Sequence, residues 1–282
     1  MIKFVSLASG SSGNCYYLAD SHSAILIDAG IGARTIRKRL KDLGLDFGSV
    51  RALLLTHDHS DHVRGAGAIG EKHFIPVYAT REVFKGVERC YTMNPKCKGS
   101  AVYIEKEVPF QLGGFKITPF AVPHDSNDCV GYSIEVEGMR FCIATDVGYL
   151  TDTIIRHLTE AEYLVLESNY DDMMLQMGHY PAHLKARIKG EGGHLSNRET
   201  ADFLQQHYSP QWKYVWLCHL SKENNLPELA YKEVEQRLAE IRVRVGEDLQ
   251  VIPLRRTAAT GIYCFGEPEQ LSLDFESSPE SE

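Results

Sequence analysis

Long hydrophobic runs are missing from this 282-residue chain: no apolar stretch approaches the roughly 20 residues of a membrane-spanning helix. Its start, MIKFVSLASG, lacks the apolar core of a secretion signal and has the alternation of a strand. The seven cysteines contain no Cys-x-x-Cys pair and are odd in number, which favours buried thiols in a reducing compartment over a disulfide framework. These absences exclude a helical membrane protein and predict a cytoplasmic location.

A surplus of positive charge is missing as well. The chain has 30 basic and 38 acidic residues and a net charge of −8, which argues against a broad basic surface that coats nucleic acid. Much of this charge lies in residues 267–282, which hold six acids and no base. A local phosphate-facing patch is still compatible with two basic clusters, one at Arg34, Arg37, Lys38, Arg39 and Lys41 and one at Lys185, Arg187 and Lys189.

Candidate strands and helices alternate along the chain, which predicts an α/β protein. The apolar segments 24–28, 50–55, 163–168 and 214–218 have the length of buried strands. A capping box, S-N-R-E at 196–199, predicts the start of a helix. We expect one folded domain over residues 1–266 and an acidic, disordered tail over residues 267–282.

The strongest signal is HDHSDH at 57–62, directly after the apolar segment 50–55. A turn at the carboxyl end of a strand can aim such side chains at one point, and imidazole with carboxylate suits Zn²⁺, Mn²⁺ or Fe²⁺. Asp61 and His62 would point away from His57 and His59, so two metals are expected rather than one. Comparable strand ends supply the further ligands, namely His124 after 115–122, Asp146 after 139–145 and His219 after 214–218.

This order of ligands resembles the metallo-β-lactamase superfamily of binuclear hydrolases over roughly residues 1–265. The resemblance implies a four-layer αββα sandwich with the site between two sheets. It also implies that His57, His59 and His124 hold one metal, that Asp61, His62 and His219 hold the other, and that Asp146 bridges both.

In such a site two cations lower the pKa of a shared water, which attacks as a bridging hydroxide, and they stabilise the anionic oxygens of the transition state. Asp61 would additionally orient or deprotonate this nucleophile. Asp58 and Ser60 occupy variable positions and would at most support the ligands. The alternative is a polar surface loop with chance histidines.

The ligands alone do not choose among thioesters, lactones, lactams and phosphodiesters. The segments SLASGSSGNCYYL, THDHSDH and GHLSN resemble the YycJ/WalJ group of bacterial metallohydrolases, which is associated with 5′-to-3′ exonuclease activity on DNA. In the first segment Ser11, Ser12 and Asn14 offer hydrogen-bond donors to a phosphate. The alternative for this loop is a tight hairpin with no substrate contact.

A histidine directly before the predicted helix at 196 is a second candidate catalytic residue. GHLS at 193–196 and CHLS at 218–221 are similar to segments of transfer-RNA 3′-processing enzymes. That similarity implies that His194 donates a proton to the leaving oxygen or stabilises a phosphate oxygen. The alternative is a histidine that serves the helix start structurally.

The tail contains QLSLDF at 270–275, where apolar residues alternate as in an extended peptide. The segment resembles the hexapeptide by which bacterial proteins dock onto the replicative sliding clamp. By this resemblance Leu273 and Phe275 fill the clamp pocket beside Leu271, and Gln270 bonds at its rim. The alternative is an added strand or an inert peptide.

We therefore predict a binuclear metal-dependent phosphodiesterase, acting as a 5′-to-3′ DNA exonuclease in replication or repair. One alternative is a small-molecule ester, thioester or cyclic phosphodiester hydrolase of the same fold. An RNA-processing nuclease is another, because the ligands do not separate DNA from RNA. A third is a clamp-associated adaptor whose metal site is structural. No membrane partner is expected.

Overall fold

The computed structural model describes residues 1–266, so the predicted clamp peptide with Gln270, Leu271, Leu273 and Phe275 lies outside the described residues. Among residues 1–266 we find no helix with the length and apolar character needed to cross a bilayer.

The strands are β1 (Ile2–Ala8), β2 (Cys15–Ala19), β3 (Ala24–Ile27), β4 (Val50–Leu54), β5 (Val77–Ala79), β6 (Ala101–Tyr103), β7 (Phe110–Leu112), β8 (Phe115–Ala121), β9 (Val130–Val136), β10 (Met139–Ala144), β11 (Tyr163–Glu167), β12 (Tyr214–Cys218), β13 (Gln250–Pro253) and β14 (Tyr263–Phe265). The helices are α1 (Ala33–Asp42), α2 (Ser60–Val63), α3 (Ala66–His73), α4 (Arg81–Arg89), α5 (Asp152–Thr159), α6 (Asp172–Met177), α7 (Ala182–Lys189), α8 (Asn197–Gln206) and α9 (Pro227–Glu240).

Two seven-stranded sheets form the centre of the molecule. The first has the order β14-β1-β2-β3-β4-β5-β6 and the second β13-β12-β11-β10-β9-β8-β7. Strands β3 and β4 are parallel, as are β10, β11, β12 and β13. The carboxyl ends of parallel neighbours lie at one edge of a sheet, so the loops that follow them are brought together.

Alternation along the strands produces the layers. Phe4 of β1 and Trp216 of β12 meet between the sheets, with ring centroids 4.3 Å apart. Their neighbours Val5 and Leu217 face outward, where α1, α3 and α4 cover the first sheet and α5, α8 and α9 cover the second. Burying each such side chain contributes about 1.5–3 kcal/mol. The predicted four-layer αββα sandwich is confirmed.

The capping box before α8 is present as predicted. The Ser196 hydroxyl accepts the backbone N–H of Glu199 at 3.1 Å, and the Glu199 carboxylate accepts the backbone N–H of Ser196 at 2.8 Å. Two donors that the first helical turn leaves unpaired are thereby satisfied. This cap, at Ser196, lies two residues after His194 and fixes the start of α8 at Asn197.

Three polar residues at strand ends have a left-handed backbone. Asp28 follows β3 with φ of +59°, Asp146 lies two residues beyond β10 with φ of +55°, and His219 follows β12 with φ of +55°. This conformation is unfavourable for residues other than glycine and persists where the surrounding structure enforces it, often at functional sites. All three residues are buried, and two of them, Asp146 and His219, are predicted metal ligands.

Candidate metal centre

The segment after β4 supplies the first group of imidazoles. His57 is fully buried, His59 is the N-cap of α2, and His124 follows β8 from the second sheet. The ring centroids are 4.7 Å apart for His57 and His59, 5.1 Å for His57 and His124, and 5.0 Å for His59 and His124. The His124 Nδ1 donates to the Gly193 carbonyl at 3.1 Å, which leaves Nε2 toward the other rings. We call these three histidines the first cluster.

The second cluster comprises Asp61, His62 and His219. Asp61 and His62 lie on the short helix α2, but the ring centroids of His62 and His57 are only 4.0 Å apart, so His62 does not point away from His57 as the sequence predicts. Asp61 Oδ2 lies 3.5 Å from His62 Nε2 and 3.4 Å from His219 Nε2. One carboxylate and two imidazoles therefore converge on one point.

Asp146 lies between the clusters. Its Oδ2 is 3.2 Å from His62 Nε2 in the second cluster, and its Oδ1 is 3.8 Å from His124 Nε2 in the first. The Thr145 hydroxyl donates to Oδ2 at 2.7 Å and orients the carboxylate. Oδ1 also lies 3.4 Å from His219 Nδ1, so the Asp146 carboxylate is within 4 Å of histidine nitrogens of both clusters.

The donor groups fit a divalent cation. In each cluster the candidate ligand atoms lie within 4.8 Å of one another. The His57 Nε2 atom is buried and has no hydrogen-bond partner among the described residues, whereas its Nδ1 lies 3.0 Å from the Thr56 hydroxyl. An unpartnered buried nitrogen costs about 1–3 kcal/mol, and a cation at this position would remove that cost. Imidazole and carboxylate ligands are compatible with Zn²⁺, Mn²⁺ or Fe²⁺.

The buried carboxylates and histidines of the centre shift one another's pKa values. Burial works to raise the pKa of Asp146, but His219 and His62 outweigh it and hold that pKa well below its usual range. Asp61 has a lowered pKa for the same reason, with burial opposed mainly by His62. Burial works to lower the pKa of His219, but the Asp146 carboxylate and the bonds to Asp61 and Glu167 raise it to about 10. Metal binding at this cluster must therefore release protons.

Asp28 orients His62 from behind, a role that the sequence analysis missed. Its Oδ2 accepts from His62 Nδ1 at 2.7 Å and from the Thr56 hydroxyl at 2.8 Å, and its Oδ1 accepts the Thr56 N–H at 2.8 Å. Such a partner fixes the tautomer of a ligating histidine. The repeated pattern of an apolar strand, Asp and Gly, in ILIDAG and CIATDVG, was the available signal.

Glu167, at the end of β11, is the second residue that the sequence analysis missed. This fully buried carboxylate accepts from His194 Nδ1 at 2.8 Å and from His219 Nδ1 at 2.9 Å through Oε1. Its Oε2 accepts the backbone N–H groups of Val147 and Leu195. Glu167 thus ties His194 to the second cluster. An acid that closes the apolar segment YLVLE was its only signal.

The loop between β1 and β2, residues 9–14, borders the second cluster. Ser11 and Ser12 are exposed, whereas Asn14 is fully buried. Asn14 Oδ1 accepts the Gly10 N–H at 2.8 Å, and its backbone N–H donates to the Asp61 carbonyl at 2.8 Å. The two serines are accessible as predicted phosphate donors. The position of Asn14 favours a role in holding the loop against the cluster.

Replacing Asp28 by Asn is expected to weaken metal binding about 10–100-fold, because His62 loses the charged acceptor that orients it. Competition with a chromophoric chelator measures this affinity. The matched control is Asp152→Asn, at an exposed position on α5. Equal affinities for the two variants would contradict the role of Asp28.

Comparisons with known proteins agree with this geometry. The family model described as "Beta-lactamase superfamily domain" matches residues 23–215. The chain is 32% identical to the exodeoxyribonuclease YycJ of Bacillus anthracis over 250 residues, 89% of this chain and 94% of that protein. It is 33% identical to the exodeoxyribonuclease WalJ of Streptococcus pneumoniae over 264 residues, 92% of this chain and 96% of that protein.

Solved structures show the same fold. The metallo-β-lactamase fold protein YhfI from Bacillus subtilis superposes with a TM-score of 0.65 at 17% identity, covering 92% of this chain and 98% of that one. Zn²⁺-bound PqqB from Methylobacterium extorquens superposes with a TM-score of 0.66, also at 17% identity, covering 92% of this chain and 99% of that one. The chain therefore belongs to the β-lactamase superfamily and is a metal-dependent hydrolase of the metallo-β-lactamase fold, similar to the YycJ and WalJ proteins.

Proposed function

We propose that this chain is a binuclear metal-dependent phosphodiesterase that degrades DNA in the 5′-to-3′ direction. The observation that carries the proposal is Asp146, whose carboxylate lies within 4 Å of histidine nitrogens of both clusters of candidate ligands. The exodeoxyribonuclease names of relatives that match about nine-tenths of the chain support DNA as the substrate. The direction of cleavage rests on the resemblance to the YycJ/WalJ group alone.

When bound, two divalent cations lower the pKa of a water molecule and neutralise charge on a phosphate. Within the second cluster Asp61 has the most accessible side chain, 19% exposed against 0% for His62 and 3% for His219. We assign to Asp61 the orientation of the attacking water from this accessible side. The first cluster is then left to hold its cation through imidazole nitrogens.

His194 is the proposed proton donor to the leaving 3′-oxygen. Its Nδ1 donates to Glu167, which leaves Nε2 as the nitrogen that can serve substrate, and its side chain is 20% exposed. Burial works to lower the pKa of His194, but the Glu167 carboxylate outweighs burial and raises it. A raised pKa favours the protonated form that a general acid needs.

A role in replication or repair would be served by the peptide at 270–275, outside the described residues. We propose that this peptide docks the protein onto a bacterial sliding clamp, which would raise the local concentration of the enzyme at DNA. The acidic charge of the whole chain makes such a tether useful, because it offsets weak electrostatic attraction to DNA.

The test is degradation of a 5′-phosphorylated duplex labelled separately at each end, with Mn²⁺ and with Zn²⁺. We expect mononucleotides from the 5′ end and a loss of this activity in Asp61→Ala. The matched control is Asp58→Ala in the same loop, because Asp58 contacts Asn127 rather than a ligand group. This control should retain activity near that of the wild type, because Asp58 is bonded to Asn127 and lies in no candidate ligand group.

No release of nucleotides, from protein shown to hold two metals, would overturn the DNA assignment. Saturable turnover of a small ester by the same preparation would then favour the small-molecule hydrolase. Degradation of RNA alone would favour the RNA-processing alternative. Unchanged function of Asp61→Ala in cells would favour the adaptor.

A further inference from the structure

One face of α1 carries a row of cations that the proposed chemistry does not use. Arg34, Arg37, Lys38 and Lys41 are all exposed, and we call them the α1 stripe. Their spacing of three, four and seven residues places them on one side of a helix. The opposite side, with Ile36 and Leu40, is buried against the first sheet. The stripe spans about 10 Å at a rise of about 1.5 Å per residue.

The charge of the stripe is mostly uncompensated. Lys38 pairs with Asp42 at 2.6 Å, but among residues 1–266 no carboxylate lies within 4.0 Å of a nitrogen of Arg34, Arg37 or Lys41. Many other surface cations are paired, such as Lys116 with Glu135. A row of unpaired cations in a chain of net charge −8 is a local attraction for an anion.

The stripe also lines a concave surface. A cavity of about 390 Å³ is formed by its four side chains together with Leu45, Asp46 and Phe47. The Arg37 guanidinium lies 5.7 Å from the centre of the Phe47 ring. Four cations line this cavity against one acid, Asp46. Arg39 differs from the stripe, because its guanidinium donates to the Leu7 and Thr257 carbonyls and holds the fold.

Backbone contacts connect the stripe to the metal centre. The Ala29 N–H donates to the His62 carbonyl at 2.7 Å, and the Gly65 N–H donates to the Ala29 carbonyl at 2.7 Å. The segment that leads into α1 is therefore bound to the segment that carries the candidate ligands. Arg64, exposed and next to Gly65, adds a further cation to this second segment.

We propose that the α1 stripe binds consecutive backbone phosphates of the DNA strand whose end enters the metal centre. This inference rests on the proposed exonuclease function and deepens it. About 10 Å corresponds to the axial rise of about three nucleotides of one duplex strand, at about 3.4 Å each. Such contacts carry no base specificity, which suits an enzyme that removes nucleotides one after another.

The test compares Arg34→Gln/Arg37→Gln with the control Lys116→Gln/Lys232→Gln. Glutamine keeps helix propensity, and the control removes two exposed charges from β8 and α9. One readout is fluorescence anisotropy of a 5′-phosphorylated oligonucleotide with cleavage-resistant phosphorothioate linkages, over a range of salt concentrations. The other is turnover of bis(p-nitrophenyl) phosphate, a small diester that needs only the metal centre.

We expect the stripe variant to bind DNA about tenfold more weakly, with the slope of log affinity against log salt reduced by about 1.4–1.8 for two lost phosphate contacts. Turnover of the small diester should stay within about twofold of the wild type, and the control should match the wild type in both readouts. Equal DNA affinity and salt slope in both variants, from protein that still degrades DNA, would overturn the stripe alone. Wild-type protein that hydrolyses the small diester but neither binds nor degrades DNA would overturn the proposed function as well.

Discussion

Replacing Asp146 by Asn is expected to lower DNA turnover by about a thousandfold or more. That factor corresponds to about 4 kcal/mol of transition-state stabilisation, which is the scale of metal-ion assistance to an anionic transition state. We expect a large loss because the Asp146 carboxylate lies within 4 Å of histidine nitrogens of both clusters. Asparagine tolerates the left-handed backbone at this position, so the substitution removes charge without adding backbone strain.

Two measurements check this expectation. Single-turnover rates at saturating metal report the chemistry, and elemental analysis of the dialysed protein reports bound metal, which should fall below two ions per chain. The matched control is Asp152→Asn, because Asp152 is exposed on α5 and belongs to neither cluster. An Asp146 variant that keeps both metals and a rate near that of the control would contradict the bridging role.

The candidate ligands could be selected from the sequence because their signals are local. HDHSDH follows one buried strand, and each remaining ligand follows another, so strand patterns and residue types sufficed to select His124, Asp146 and His219. The carboxyl ends of parallel strands lie at one edge of a sheet. Residues that follow several such strands are therefore expected to lie close together in the fold. The order of the ligands then indicated the family and its four layers.

The supporting residues depend on distances that no local pattern encodes. Glu167 meets His194 across 27 positions and His219 across 52, and an acid at the end of a strand is ordinarily solvated. Asn14 has the residue type of a phosphate donor, but its burial beneath the loop follows from contacts with Gly10 and Asp61. The backbone hydrogen bonds between the segment before α1 and the metal centre likewise form only in the folded chain, so no sequence pattern predicts them.

Replacing His194 by Gln is expected to slow DNA hydrolysis about 10²–10⁴-fold, the usual contribution of a general acid. The effect on bis(p-nitrophenyl) phosphate should be much smaller, because its leaving group departs as a stable anion and needs no proton. His194 also forms a candidate ligand group with Asp146, Glu167 and His219, but its Nδ1 is bonded to Glu167 and it lies in neither of the two clusters, so we expect metal content not to change. The matched control is His183→Gln, at an exposed histidine on α7, which should leave both substrates unaffected.

The variant Glu167→Gln separates proton donation from the architecture of the centre. Glu167 contacts both His194 and His219, so its loss should slow both substrates about 10–100-fold and weaken metal binding. A His194 variant that slows both substrates equally and also loses metal would behave like Glu167→Gln. His194 would then be a positioning residue for the second cluster. Selective loss on DNA alone, with both metals retained, assigns the proton to His194, because only the DNA reaction must protonate its leaving oxygen.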